Sequence, residues 1–301
     1  MTRFSVTRAL DLAPFKATSS SPATSSLTTN SLTATDPAAK PRFAPVSRLA
    51  MALTMVATLA ACEPAEERAQ GHYESGLELV EEGDPVKAKL EFRNALKLDD
   101  THAKAHLELG KLFQGESNFG AAVGHYIAAL DLDETLLEAH LRVGQLMLAA
   151  NRIDDALEKS VTTYQLAPED IEVLVLKASV EIKLENLDAA EDTVEDAARV
   201  DPNSPEVWIL RTALMRRQGE DEQALAIIDE GLKRNPDHVA LSLLRIDVLA
   251  ALNRLDDLGD TLQGLAETYP DRLPLREALV RWNLSNSDFV SAEQNLRDLA
   301  A

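Results

Sequence analysis

The sequence predicts an all-α protein assembled from a 34-residue repeat, on three observations. The composition is the first: 45% of the 301 residues are hydrophobic and 27% charged, yet only 4% are aromatic, and Ala, Leu and the charged residues dominate. Such a mixture favours helices over sheets built from β-branched and aromatic side chains. Glycine and proline are sparse and scattered, which is the second. The third is the repeat itself. Ala88, Ala122, Ala156, Ala190, Ala224 and Ala292 stand 34 residues apart or a multiple of it, with Leu258 filling the gap. Gly76, Gly110 and Gly144 keep the same spacing and give way to Ala178 and Thr212, and Pro168, Pro202, Pro236 and Pro270 form a further column.

The chain divides into four stretches. Residues 1–48 include a Ser/Thr-rich tract, ATSSSPATSSLTTNSLTATD, too poor in large apolar residues to pack a core. Residues 49–62 hold thirteen uncharged residues, LAMALTMVATLAA, followed by Cys62, the only cysteine. That run is too short to span a bilayer and suits the core of a secretion signal, with Lys40, Arg42 and Arg48 as its basic flank. A long Ser-rich leader fits a signal poorly, and initiation near Val46 would remove it while keeping Arg48. Residues 63–68 are expected to be a short tether, and the repeats run from 69 to 301.

Leu59-Ala60-Ala61-Cys62 resembles the lipobox of bacterial lipoproteins. The resemblance implies a diacylglyceryl anchor on Cys62, removal of residues 1–61, and placement in the bacterial cell envelope. Glu63 rather than Asp after the cysteine favours an outer-membrane lipoprotein facing the periplasm. Removing the leader would leave 24 basic against 48 acidic residues, a net of −24, compared with −20 for the whole sequence. No basic stripe is present, so nucleic acid is not an expected partner.

The repeat resembles the tetratricopeptide repeat, a 34-residue unit with an aromatic, Leu-Gly, a second aromatic, an Ala followed by a large residue, and a closing Pro. Unit two reads His106, Leu109-Gly110, Phe113, Ala122 and Tyr126, and unit five supplies Trp208, Ala224, Ile228 and Pro236. Unit three departs from the pattern with Ser160 where a large apolar residue belongs, and unit six lacks both small-residue columns. The resemblance implies about seven antiparallel helix pairs stacked into a right-handed superhelix with a concave face. In that arrangement the Gly and Ala columns lie where helices cross and Pro ends each second helix. The chain stops inside the second helix of unit seven, so both a short protein and a piece of a longer array are open readings.

His72, His106 and His140 are a column of the first helices, a position occupied by Trp208 in unit five. Stacked helices lie about 8–10 Å apart, whereas ligands of one zinc sit about 2.0–2.1 Å from it. The column is therefore expected to pack rather than bind metal. No nucleophile elbow, phosphate loop or dinucleotide fingerprint is present, and neither catalysis nor a cofactor is expected. The pairs Asp154-Asp155 and Asp256-Asp257 are expected to cap helix N-termini and compensate the helix dipole rather than to catalyse.

A second column, Tyr73, Leu107, Leu141, Val175, Ile209 and Leu243, ends in Glu277. In tetratricopeptide repeats this column tends to line the groove, so these residues are the candidate partner-binding surface, although apolar helix contacts would explain them equally. The Lys and Asn pairing with which some relatives clamp a C-terminal carboxylate is missing. Lipobox and array together resemble envelope lipoproteins that scaffold secretion, pilus assembly or exopolysaccharide export. YESGLELVEEGDPVKAKLEFRNALKLDD is similar to the first repeat of those accompanying PEP-CTERM and exosortase systems. Two functions follow: an envelope-anchored scaffold that binds a peptide or protein partner, or the recognition arm of an envelope enzyme whose catalytic domain is absent from this chain.

Overall fold

A computed structural model describes residues 64–300, with side chains to 297. Cys62 and the signal-like run lie outside these residues. Among the described residues there are fourteen helices and no strand, and none of the helices is long and apolar enough to cross a membrane. They pair into seven repeats: α1 (Ala65–Glu81) with α2 (Pro85–Leu98), α3 (Ala103–Gly115) with α4 (Phe119–Leu132), α5 (Leu137–Ala149) with α6 (Ile153–Leu166), and α7 (Ile171–Lys183) with α8 (Leu187–Val200). Then follow α9 (Pro205–Gln218) with α10 (Asp221–Arg234), α11 (Val239–Ala251) with α12 (Leu255–Thr268), and α13 (Leu273–Ser285) with α14 (Phe289–Ala300). Residues 65–68, expected as tether, are the first turn of α1. Pro64 sets its start, and Glu66 and Glu67 offset the positive end of its dipole.

The small-residue columns do what their size allows. All six column alanines are buried, at 0–1% exposure. A Cβ on Gly76 would lie 2.5 and 2.7 Å from ring atoms of Phe92. One on Gly110 would lie 2.5 Å from Cδ1 and 3.0 Å from Cζ of Tyr126. In these two repeats the second helix thus lays an aromatic ring directly on a glycine of the first. Repeat three lacks that ring because Ser160 stands in its place, and Leu176 of α7 takes the space, with Cδ2 2.7 Å from where a Gly144 Cβ would be. In repeat five the arrangement is reversed. Thr212 closes the first-helix hole, and Trp208 instead rests on Gly231 of α10, its Cγ 2.9 Å from a Cβ built there. Trp282 of α13 meets Gly259 of α12 in the same way.

Every turn between paired helices has one residue in the left-handed region: Gly83, Ser117, Asn151, Glu185, Gly219, Asn253 and Ser287, again 34 apart. Each turn closes with the same backbone bond, from Asp84 N–H to Leu79 O (2.8 Å) in the first to Asp288 N–H to Asn283 O (2.9 Å) in the last. That bond, spanning from one residue past the left-handed position to the last turn of the helix, is the Schellman closure. Glycine and asparagine tolerate this geometry and glutamate does not. Replacing Glu185, at φ 61°, with glycine is therefore expected to stabilise the array by about 1 kcal/mol, as read from urea unfolding; a loss of stability would contradict the strain.

The residue after each left-handed position starts the second helix. Asp84, Asn118 and Asp288 accept from the backbone N–H three residues on, at 3.1, 3.3 and 3.1 Å. In repeats three and six that place belongs to Arg152 and Arg254, not to the aspartate pairs. Asp154-Asp155 and Asp256-Asp257 lie in the first turn of the helix and do not cap it. They compensate its dipole, and Asp155 and Asp257 accept from the Nε of Arg152 and Arg254, both at 2.7 Å. Pro168, Pro202, Pro236 and Pro270 follow the second helices by two residues. In the first two repeats, Asp99 and Asp133 hold the corresponding turn by accepting from the N–H and hydroxyl of Thr101 and Thr135.

Successive first helices touch one another from α5 through α7 and α9 to α11, while no two second helices approach as closely. A layer packed tightly on one side and spread on the other must curve, so the first helices line the inner face.

Candidate partner-binding groove

The six candidate residues all sit on first helices, but they are not equally open. Leu107 and Leu141, at 6% and 4% exposure, belong to the core of the first three repeats. Tyr73, Val175, Ile209 and Leu243 are half-buried, and Glu277 is exposed. The open part of the column is therefore an apolar patch in repeats four to six plus an isolated tyrosine. Flanking side chains account for the difference. In repeats two and three the neighbouring columns carry long groups tied to each other: Lys111 Nζ bonds Glu108 at 2.9 Å and Glu138 at 2.8 Å, and Arg142 reaches Glu138 at 3.5 Å and Gln145 at 3.3 Å. In repeats four and five the corresponding positions hold Ser179 and Ala213, which are too short to cover a neighbour.

Burial raises the Tyr73 hydroxyl above its ordinary value, with the charges of Glu108 and Glu138 adding to it and Lys111 opposing. Burial also works against the charge on Lys111, but its bonds to Glu138 and Glu108 outweigh this and raise it. On the same face Asp247, half-buried, is held above the usual carboxylate range by burial, with Arg216 opposing.

The histidine column is bound within each repeat. His72 Nδ1 lies 2.5 Å from Glu91 Oε2, and His106 Nδ1 lies 3.0 Å from His125 Nδ1. His140, buried, donates Nε2–H to the backbone oxygen of Glu134 at 2.9 Å. Among the described residues no three His, Cys, Asp or Glu side chains converge as metal ligands. The partner of His106 was hidden in the sequence, although Glu91 and His125 share the 34-residue spacing.

His125 stacks on Phe113, with ring centres 5.3 Å apart, and the charged ends of Lys89 and Arg93 lie 4.7 and 5.7 Å from the centre of the Phe113 ring. Burial lowers both histidines below 6.5; the charge of His102 adds to this at His106, and those of His106 and Arg93 at His125. A depressed folded pKa means the unfolded chain takes up protons first. Their contribution is thus whole above about pH 6.5 and lost as pH falls through the folded values. Urea midpoints measured at pH 7.5 and 5.5 should fall less in His125→Gln than in the unsubstituted chain; parallel falls would dismiss the pair as the cause.

Residues 134–205 and 215–272 match the sequence profile of the tetratricopeptide repeat. The described residues fold as a tetratricopeptide-repeat solenoid. Solved tetratricopeptide structures agree with it in fold. A tetratricopeptide repeat protein from Parabacteroides merdae is 16% identical over 77% of this chain and 91% of its own, with a TM-score of 0.60. PilF of Pseudomonas aeruginosa is 23% identical over 71% of this chain and 98% of its own, with a TM-score of 0.53. MamA of Desulfovibrio magneticus RS-1 is 15% identical over 57% and 97%, with a TM-score of 0.51. No curated protein matches the sequence. Tetratricopeptide arrays typically act as non-catalytic scaffolds that bind protein partners in their groove, the face on which Val175, Ile209 and Leu243 lie.

Proposed function

We propose that the chain is a non-catalytic scaffold, anchored at Cys62 to the bacterial outer membrane and offering its concave face to a segment of another envelope protein during secretion, pilus assembly or exopolysaccharide export. The observation that carries this reading is the row Val175, Ile209 and Leu243, half-open on the inner face beside side chains too short to cover it. Apolar side chains left open along a curved inner face lose water when a segment docks, which favours binding. Anchoring rests on the lipobox and its basic flank.

A photoreactive residue at Ile209 is expected to form an adduct with the partner in cells, whereas one at Val161, exposed on a second helix, is not. Equal adducts at both, or none at Ile209, would remove the groove from consideration. Radiolabelled palmitate should enter the natural chain and not Cys62→Ser; equal labelling would sever the anchor from the account.

A further inference from the structure

One inner-face column runs Lys111, Gln145, Ser179, Ala213, Asp247 and Arg281 at 34-residue spacing. Its long members are engaged within the array: Lys111 with Glu108 and Glu138, Gln145 with Arg142, Arg281 with Glu277 at 3.4 Å. Asp247 is the exception. It makes no hydrogen bond or ion pair with any described residue, and Arg216, the one cation whose charge reaches it, is turned to Asp221 at 3.3 Å. The two preceding repeats carry the short side chains of Ser179 and Ala213 in this column, beside the half-buried Val175, Ile209 and Leu243 of the neighbouring column, which together make a strip of the inner face. The strip therefore runs over small and apolar groups and ends at a half-buried carboxylate, with part of its water removed and only the charge of Arg216, itself held by Asp221, set against it.

We propose that this strip of the inner face receives an apolar segment of the partner that carries a Lys or Arg side chain seated on Asp247. The inference rests on the concave face being the binding surface and adds the chemistry of what binds there. A cation brought against this strip would restore to the carboxylate the bonding that burial has removed, and charge-assisted pairs of this kind are short and strong. An acidic or purely apolar segment would leave the carboxylate facing a like charge or nothing, and would be rejected. Burial holds the Asp247 carboxyl above its ordinary range, in keeping with a group short of partners.

Screening the full chain against a random octapeptide library tests this. Retained peptides should combine aliphatic residues with a Lys or Arg, and the best of them should bind Asp247→Asn about tenfold to a hundredfold more weakly. Asp247→Glu should keep the basic preference and Asp247→Lys should exchange it for an acidic one. Because Asp247 supports no internal bond, Asp247→Asn should melt at or above the original temperature, so a loss of binding is not a loss of fold. Retained peptides without Lys or Arg, or a basic preference unchanged in Asp247→Asn, would overturn the proposal. Ile209→Gln separates it from the underlying reading. If Ile209→Gln abolishes retention while Asp247→Asn does not, the groove stands and the cation does not; if Ile209→Gln has no effect, or no peptide is retained, both fall.

Discussion

Tyr126→Ala is expected to cost about 3–5 kcal/mol, the range for deleting a large aromatic from a packed core. Tyr126 is fully buried on α4, with its ring over Gly110 of α3 and its hydroxyl donating to Gln114 Oε1 at 2.8 Å. Burial pushes that hydroxyl up to about 12, so it stays protonated and able to donate across the pH range in which the array is folded. The substitution empties a site bordered by two helices and leaves Gln114 without its donor. Since repeats lean on their neighbours, loss of the ring should loosen the adjoining repeats as well, and unfolding in urea should become broader as well as earlier. An unchanged urea midpoint would show that the aromatic is not a structural post.

Gly110→Ala is expected to destabilise by about 1–3 kcal/mol through overpacking, although alanine is the better helix former by about 0.5–1 kcal/mol. The sign depends on Tyr126, since the new methyl group would meet its ring within 3.0 Å. Gly124 provides the comparison. It lies on α4 with open space where a Cβ would be, so Gly124→Ala should stabilise by about 0.5–1 kcal/mol. In a chain already carrying Tyr126→Ala, Gly110→Ala should change from harmful to neutral or helpful, because the ring it collides with has gone. Additivity in that double substitution would disprove the contact.

The columns that depend on size were legible in the sequence. Gly110 and Ala122 announce close helix crossings because nothing larger fits, and Pro202 or Pro236 marks a helix end by its missing N–H. What was illegible depends on compensation between positions. Ser160 reads as a gap until Leu176 of the next repeat is seen to fill it, and Gly231 has no visible purpose until Trp208 lies on it. The left-handed turn column was present as Gly83, Asn151, Gly219 and Asn253, but Ser117, Glu185 and Ser287 obscure it because local packing enforces the geometry against preference. The six groove candidates all lie on first helices, as the repeat spacing implies. Which of them are open was decided by the length of the neighbouring side chains, so Leu107 and Leu141 sank into the core while Val175 and Ile209 did not. Asp154-Asp155 shows the limit of counting: Arg152 holds the capping place, two residues earlier than the spacing suggested.

Each helix packs against helices one or two places along the chain. The molecule consequently has no keystone. Contacts of short sequence separation need little search, so folding can begin in several places at once and spread, as a zipper closes from wherever its teeth first engage. Damage is equally parochial. A protease cutting the turn at Glu185 would sever the polymer without breaking a single contact across the cut, and the two lengths of array could remain docked like adjacent links of a watch strap, each keeping its curvature.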